Sequence, residues 1–184
     1  VVLNLRTGKQ RFFRGHNQRV TCLAVRKSLD FGASGQESSG QDQCCCFVWR
    51  IADCMEQACL RVEEHRIDAI EWSQDGSQLY VCASSNSDGE RSRQTKLYIW
   101  NYTTTGRPLV KVLANCDRIL GMCAHYSDPT SCAIFGMAHL AFFEWETHLP
   151  GSLRLWQPRW GAVGPPRAIH CASYLPESGG YNGQ

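Results

Sequence analysis

Eleven of the 184 residues are cysteines, enough thiols to close disulfides, hold zinc or carry redox chemistry. Their spacing argues against all three. They stand at positions 22, 44, 45, 46, 54, 59, 82, 116, 123, 132 and 171, with no Cys-x-x-Cys pair and no histidine-rich partner segment to complete a tetrahedral site. The count is odd, and Cys44, Cys45 and Cys46 alternate sides of an extended chain, so they cannot converge on one metal. Several others lie inside the apolar runs VTCLAV, YVCAS, GMCAH and IHCAS, where cysteine acts as a small buried hydrophobe. The thiols read as core residues in a reducing, cytoplasmic compartment, with no metal and no cofactor.

Other groups able to do chemistry are few. Glu63, Glu64 and His65 form a short polar cluster, placed where a turn between repeats belongs. The sequence has no GxSxG, no HExxH, no phosphate-binding glycine loop and no carboxylate pair at a cleft-like spacing, so it does not read as an enzyme. One basic concentration, Arg91, Arg93 and Lys96 in ERSRQTK, falls between two predicted strands and reads either as a solvated loop or as a partner contact. A net charge of +2 with 20% charged residues points to neither a nucleic-acid partner nor a membrane surface. No run approaches the roughly 18 apolar residues that span a bilayer. The N-terminus, VVLNLRTGKQ, carries no signal pattern and no initiator methionine, so the chain is expected to start within a longer protein.

The elements that must position these residues are short strands. VTCLAV, FGASGQ, CCCFVWRI, ACLRVEE, IDAIEWS, QLYVCASS, KLYIWNY, LVKVLA, ILGMCAHY, SCAIFGM and HLAFFEW are rich in β-branched, aromatic and cysteine residues. Gly, Asp, Ser, Asn and Pro turn signals separate them, and helix signals are almost absent. QDGS at 74–77 and YSDPTS at 126–131 mark equivalent tight turns, one repeat apart.

Three of these runs end on tryptophan, at Trp49, Trp100 and Trp145, which lie 51 and 45 residues apart. A period of about 45 to 50 residues, with three or four strands, an early Gly-His and a late Trp, is the pattern of a WD40-type β-propeller blade. The fold class is therefore all-β, with about three and a half four-stranded blades. Residues 1–14 are expected to end a preceding blade, 15–58, 59–107 and 108–157 to form blades, and 158–184 to begin the next. Each tryptophan should be substantially buried on a third strand, filling the wedge between sheets. His16 of Gly15-His16, and His65 in the second repeat, should support the same region by a structural hydrogen bond rather than act as ligand or base. Each repeat buries its apolar face against neighbours, so an arc of this size is expected to belong to a larger propeller whose remaining blades are its first partners; a closed ring usually takes about seven blades.

The stretches FFRGHNQRVTCLAV, GASGQ, LYIWNY, HYSDPTSCAIFGMAHLAFFEW and PPRAIHCASYLPESGG, in that order, resemble the echinoderm microtubule-associated protein-like family. Together they cover nearly the whole chain. The resemblance implies an atypical WD40 propeller in a non-enzymatic, microtubule-associated scaffold. Tubulin or other cytoskeletal proteins would be its partners, in the cytoplasm or in the axoneme of a cilium or flagellum. A general WD40 adaptor that binds a peptide across the propeller's top face is the alternative. Because connecting loops carry recognition on such scaffolds, the loop holding Arg91, Arg93 and Lys96 is the local candidate for a contact with tubulin.

Overall fold

The computed structural model describes residues 1–38, 44–85, 94–104, 107–113, 116, 118–146 and 152–175. Among them there is no helix. A two-stranded ribbon, β1 (Val2–Leu3) with β2 (Gln10–Arg11), precedes three antiparallel sheets of four strands, each a simple meander. The first sheet is β3 (Val20–Val25), β4 (Phe31–Gln36), β5 (Cys44–Arg50) and β6 (Glu56–Val62). The second is β7 (Arg66–Trp72), β8 (Leu79–Ser85), β9 (Gln94–Trp100) and β10 (Leu109–Leu113). The third is β11 (Ile119–Ala124), β12 (Ser131–Gly136), β13 (His139–Trp145) and β14 (Leu153–Trp156).

Burial follows strand position. β4, β5, β8, β9 and β12 are almost wholly buried, whereas the fourth strands β10 and β14 are largely open. A strand covered on both faces has no reason to alternate apolar with polar residues, which explains runs such as CCCFVW and LYVCA. One core cluster fills the space between the first and second sheets, with Val48, Ile67, Leu79, Tyr98 and Trp100 among its members. A second fills the space between the second and third, with Tyr80, Leu97, Ile119, Ile134 and Phe143. All eleven cysteines are free thiols, and Cys44, Cys46, Cys82 and Cys132 are among the most buried residues. Burial pushes the Cys44 thiol up to about 12, so it stays protonated and behaves as a hydrophobe.

The first strands of the three sheets lie side by side, β3 against β7 and β7 against β11. Each carries one bulged residue near its start, Thr21, Asp68 or Leu120, where the pairing register skips. The bulges provide a ruler: Val20, Ile67 and Ile119 occupy one station, paired respectively with Gln36, Ala83 and Gly136. Ile169 repeats the station again, since an isolated bridge joins Ala168 to Met137 as another joins Arg66 to Glu37.

This register corrects the unit boundaries expected from the sequence. A break at 58/59 would cut β6, which pairs along its length with β5, and a break at 107/108 would detach β10 from its partner β9. β6 and β10 each follow a polar turn, and their antiparallel hairpins with β5 and β9 make them the closing strands of the preceding sheets. The tight turn between β7 and β8 matches its sequence signal: Gly76 adopts φ +69, and the Asp75 carboxylate accepts bonds from Ser73 Oγ, Ser77 Oγ and Ser77 N–H.

Candidate functional site

In the first sheet, a polar chain starts at Trp49, 5% exposed at the end of β5. Its indole N–H donates to Ser34 Oγ at 3.0 Å, and Ser34 Oγ lies 2.6 Å from His16 Nε2. His16 Nδ1 is 2.9 Å from Gln36 Oε1, whose amide nitrogen donates to Asn17 Oδ1. Because Gln36 presents an acceptor to Nδ1, the proton sits there, and Nε2 accepts from the serine. Burial lowers the His16 pKa against the opposing pull of the Gln36 bond, which keeps this neutral tautomer. Phe13 stacks on Trp49 at 5.5 Å, and Phe47 meets His16 edge-on at 4.8 Å. Gly32, opposite Trp49, leaves room for the indole: a Cβ there would lie 2.7 Å from it.

The second sheet fills the same stations differently. Trp100 stands where Trp49 does, opposite Leu79 and 6% exposed. His65, however, is exposed, and its contribution is made through its backbone, which accepts from Ser38 N–H and donates to Ser84 C=O. The inward polar residue is its neighbour Glu64, 2% exposed. Its carboxylate accepts the Tyr98 hydroxyl at 2.5 Å and pairs with Lys96 Nζ at 2.7 Å. The bond to Glu64 raises the Lys96 pKa, and burial together with that carboxylate raises the Tyr98 pKa. Asn17 and Glu64 both stand three residues before the station of Val20 and Ile67, so the histidine's work has passed to the following position.

In the third sheet, register places Phe143, not Trp145, at the wedge station, opposite Cys132. Phe143 is fully buried and packs edge-on against Tyr80 at 5.0 Å. Trp145 lies one pleat further along and is only partly buried. His139 occupies the station of Lys96; it is 3% exposed, its Nε2 has no hydrogen-bond partner among the described residues, and burial lowers its pKa. Counting from the first-strand bulge rather than from the tryptophans would have found Phe143. Ser34, Gln36 and Tyr98 left no signal apart from that register.

Of the basic loop, Arg91 and Arg93 lie outside the described residues. Lys96 is within β9 and committed to Glu64. The described residues contain no group of three or more His, Cys, Asp or Glu able to hold a metal. A separate pocket of about 220 Å³ opens where β3, β7 and β11 end, bordered by Lys27, Glu71, Trp72, His125 and Tyr126.

Three radially stacked four-stranded meanders, with first strands adjacent and wedge-filling aromatics on the third strands, define the chain as a run of WD40-type β-propeller blades. The β-propeller domain of Cps50 (Swd1) from Myceliophteria thermophila superposes with a TM-score of 0.58 at 15% identity, over 77% of this chain and 39% of that domain. In sequence, the chain is similar to echinoderm microtubule-associated protein-like 3 from Homo sapiens and from Mus musculus, at 25% and 26% identity over 180 residues. These alignments cover 91% of this chain and 19% of each relative, so the chain spans about a fifth of their length. No family model matches it.

Proposed function

We propose that this chain is part of a non-catalytic WD-repeat scaffold that associates with microtubules. The observation that carries the reading is the similarity to echinoderm microtubule-associated protein-like 3 along 91% of the chain. The polar groups at the blade stations favour a scaffold: His16, Ser34, Gln36, Glu64 and Lys96 are bonded to one another within their sheets, where they hold the blades together. Recognition then falls to the loops, and Arg91 and Arg93 are the residues proposed to meet the acidic surface of tubulin. The cytoskeleton is the proposed location, with the axoneme of a cilium or flagellum as its narrower form.

Co-sedimentation of the intact protein with stabilised microtubules over a salt series tests this reading. Binding is expected at low salt. Changing Arg91 and Arg93 together to Glu should weaken it without moving Tm, because exposed charges contribute little to folding. Lys96 is left out of that variant, since its loss would disturb Glu64. Absence of binding at every salt concentration would favour the adaptor reading, and imaging of tagged protein in ciliated cells separates axonemal from cytoplasmic microtubules.

A further inference from the structure

The pocket at the ends of β3, β7 and β11 has a feature that packing does not require. Glu71, on β7 opposite Tyr80, turns its carboxylate into this space, where its Oε1 accepts only the backbone N–H of Trp72 at 3.0 Å. Among the described residues it has no cationic partner. The bulge ruler shows how unusual this is, because the same station carries Ala24 in β3 and Cys123 in β11. Two small side chains serve the architecture there. A carboxylate partly withdrawn from water without a counter-ion is unfavourable, and burial pushes the Glu71 carboxyl up to about 6.

The surroundings define what would relieve that cost. Tyr126 and His125 stack at 4.8 Å to form one wall, and the His125 ring is held by the N–H groups of Ser127 and Asp128, which donate to Nδ1. Val25 supplies apolar surface, and Lys27 is exposed on the rim; Trp72, 3% exposed with the Arg26 guanidinium 6.0 Å from its ring, closes the floor. At about 220 Å³ the pocket is smaller than the roughly 300 Å³ at which sites for drug-sized molecules begin. It suits a single side chain: an apolar stem against Val25, the His125 and Tyr126 rings beside it, and one anion at the end.

We propose that this pocket receives a lysine or arginine side chain from a partner protein, with Glu71 as its counter-ion. The site is independent of the microtubule reading, because it selects a cationic partner group, whereas the basic loop selects an acidic surface.

The test is titration of the intact protein at pH 7.5 with N-acetyl-arginine amide, N-acetyl-lysine amide and the neutral citrulline counterpart, followed by NMR of the tryptophan indoles. One of the two cations should bind with a dissociation constant on the order of millimolar and shift the Trp72 signal; the tighter of the two identifies the partner residue. The citrulline amide should not bind. Glu71→Gln should weaken the interaction at least about tenfold, a difference of roughly 1.4 kcal/mol. Glu71→Ala, which copies the Ala24 station, should do the same in a folded chain. Should both variants unfold, Lys27→Gln keeps the question open to measurement: removing the competing rim charge should tighten binding severalfold, and equal or weaker binding overturns the proposal. So does the absence of binding by either cation at ten times millimolar concentration, equal binding of citrulline, or unchanged affinity in Glu71→Gln.

Discussion

The first and second sheets place different chemistry in the same geometry. In the first, Trp49, Ser34, His16 and Gln36 form a neutral hydrogen-bonded chain; in the second, Trp100 keeps the aromatic wedge, but Glu64, Lys96 and Tyr98 form a charged one. Each buried polar atom named in these two networks has a partner, and each wedge is filled by an indole. In both sheets the blade constrains volume and satisfies these polar groups, while leaving residue identity free. The third sheet keeps the volume alone: Phe143 fills the wedge without any polar handle, and the buried His139 Nε2 has no hydrogen-bond partner among the described residues.

The largest effect should come from removing a wedge. Trp100→Ala is expected to cost about 3 to 5 kcal/mol in denaturant unfolding, and Phe143→Ala a similar amount. Trp145→Ala should cost clearly less because that ring is only partly buried. Equal losses at Trp145 and Phe143 would break the register that assigns the third wedge.

Breaking the charged network comes next. Lys96→Met leaves Glu64 buried with only the Tyr98 hydroxyl, and about 2 kcal/mol should be lost, less than for a fully enclosed pair because Lys96 retains some contact with water. Pairing it with Glu64→Gln should recover much of the loss, which a double-mutant cycle would show. The neutral network should be less costly to break: Ser34→Ala strands the Trp49 indole N–H and His16 Nε2, for an expected 1 to 2 kcal/mol or about that.

Smallest is the response to acid. His16 and His139 have lowered pKa values in the folded chain, so on acidification below 6.5 the unfolded chain takes up protons first and stability falls. Glu71 has the opposite sign: its folded carboxyl protonates at about 6 and its unfolded one at 4.5, so between those values acid favours the fold. Thermal melts from pH 7.5 to 5 should therefore show a shallow decline in wild type and a steeper one in Glu71→Gln. Parallel curves would show that Glu71 does not titrate in this range.

The strands were legible in the sequence because they are short, apolar and bounded by turn residues such as Asp75-Gly76 and Asp128-Pro129. The propeller followed from the recurrence of Trp49 and Trp100. What the sequence hid was phase. The three wedge aromatics recur at 51 and then 43 residues, from Trp49 to Trp100 to Phe143, while the first-strand stations recur at 47 and 52, from Val20 to Ile67 to Ile119. Loops of unequal length therefore detach the two markers from each other. A conspicuous Trp145 two residues beyond the true station then attracts the alignment, as a conspicuous His65 does beside Glu64. Glu71 was invisible for a different reason: on an amphipathic strand an isolated glutamate reads as a solvent-facing residue, and only the stacking of the sheets shows that it is half-buried in a pocket.

The isolated bridges beside the first strands have a mechanical consequence. Ser38 N–H donates to His65 C=O between the first and second sheets; Ala138 N–H donates to Arg167 C=O, and Ile169 N–H to Gly136 C=O, between the third sheet and the segment that follows. These backbone links run beside the adjacent first strands, with the Thr21 hydroxyl on Ile67 C=O and the Arg66–Glu37 pair next to the first of them. A pull along the rim would thus spread the sheets like the leaves of a fan around a stitched spine. Resistance to such a load would depend on these amides together with a few side-chain bonds between sheets, among them Thr21 Oγ1 to Ile67 C=O and Tyr80 hydroxyl to Pro129 C=O.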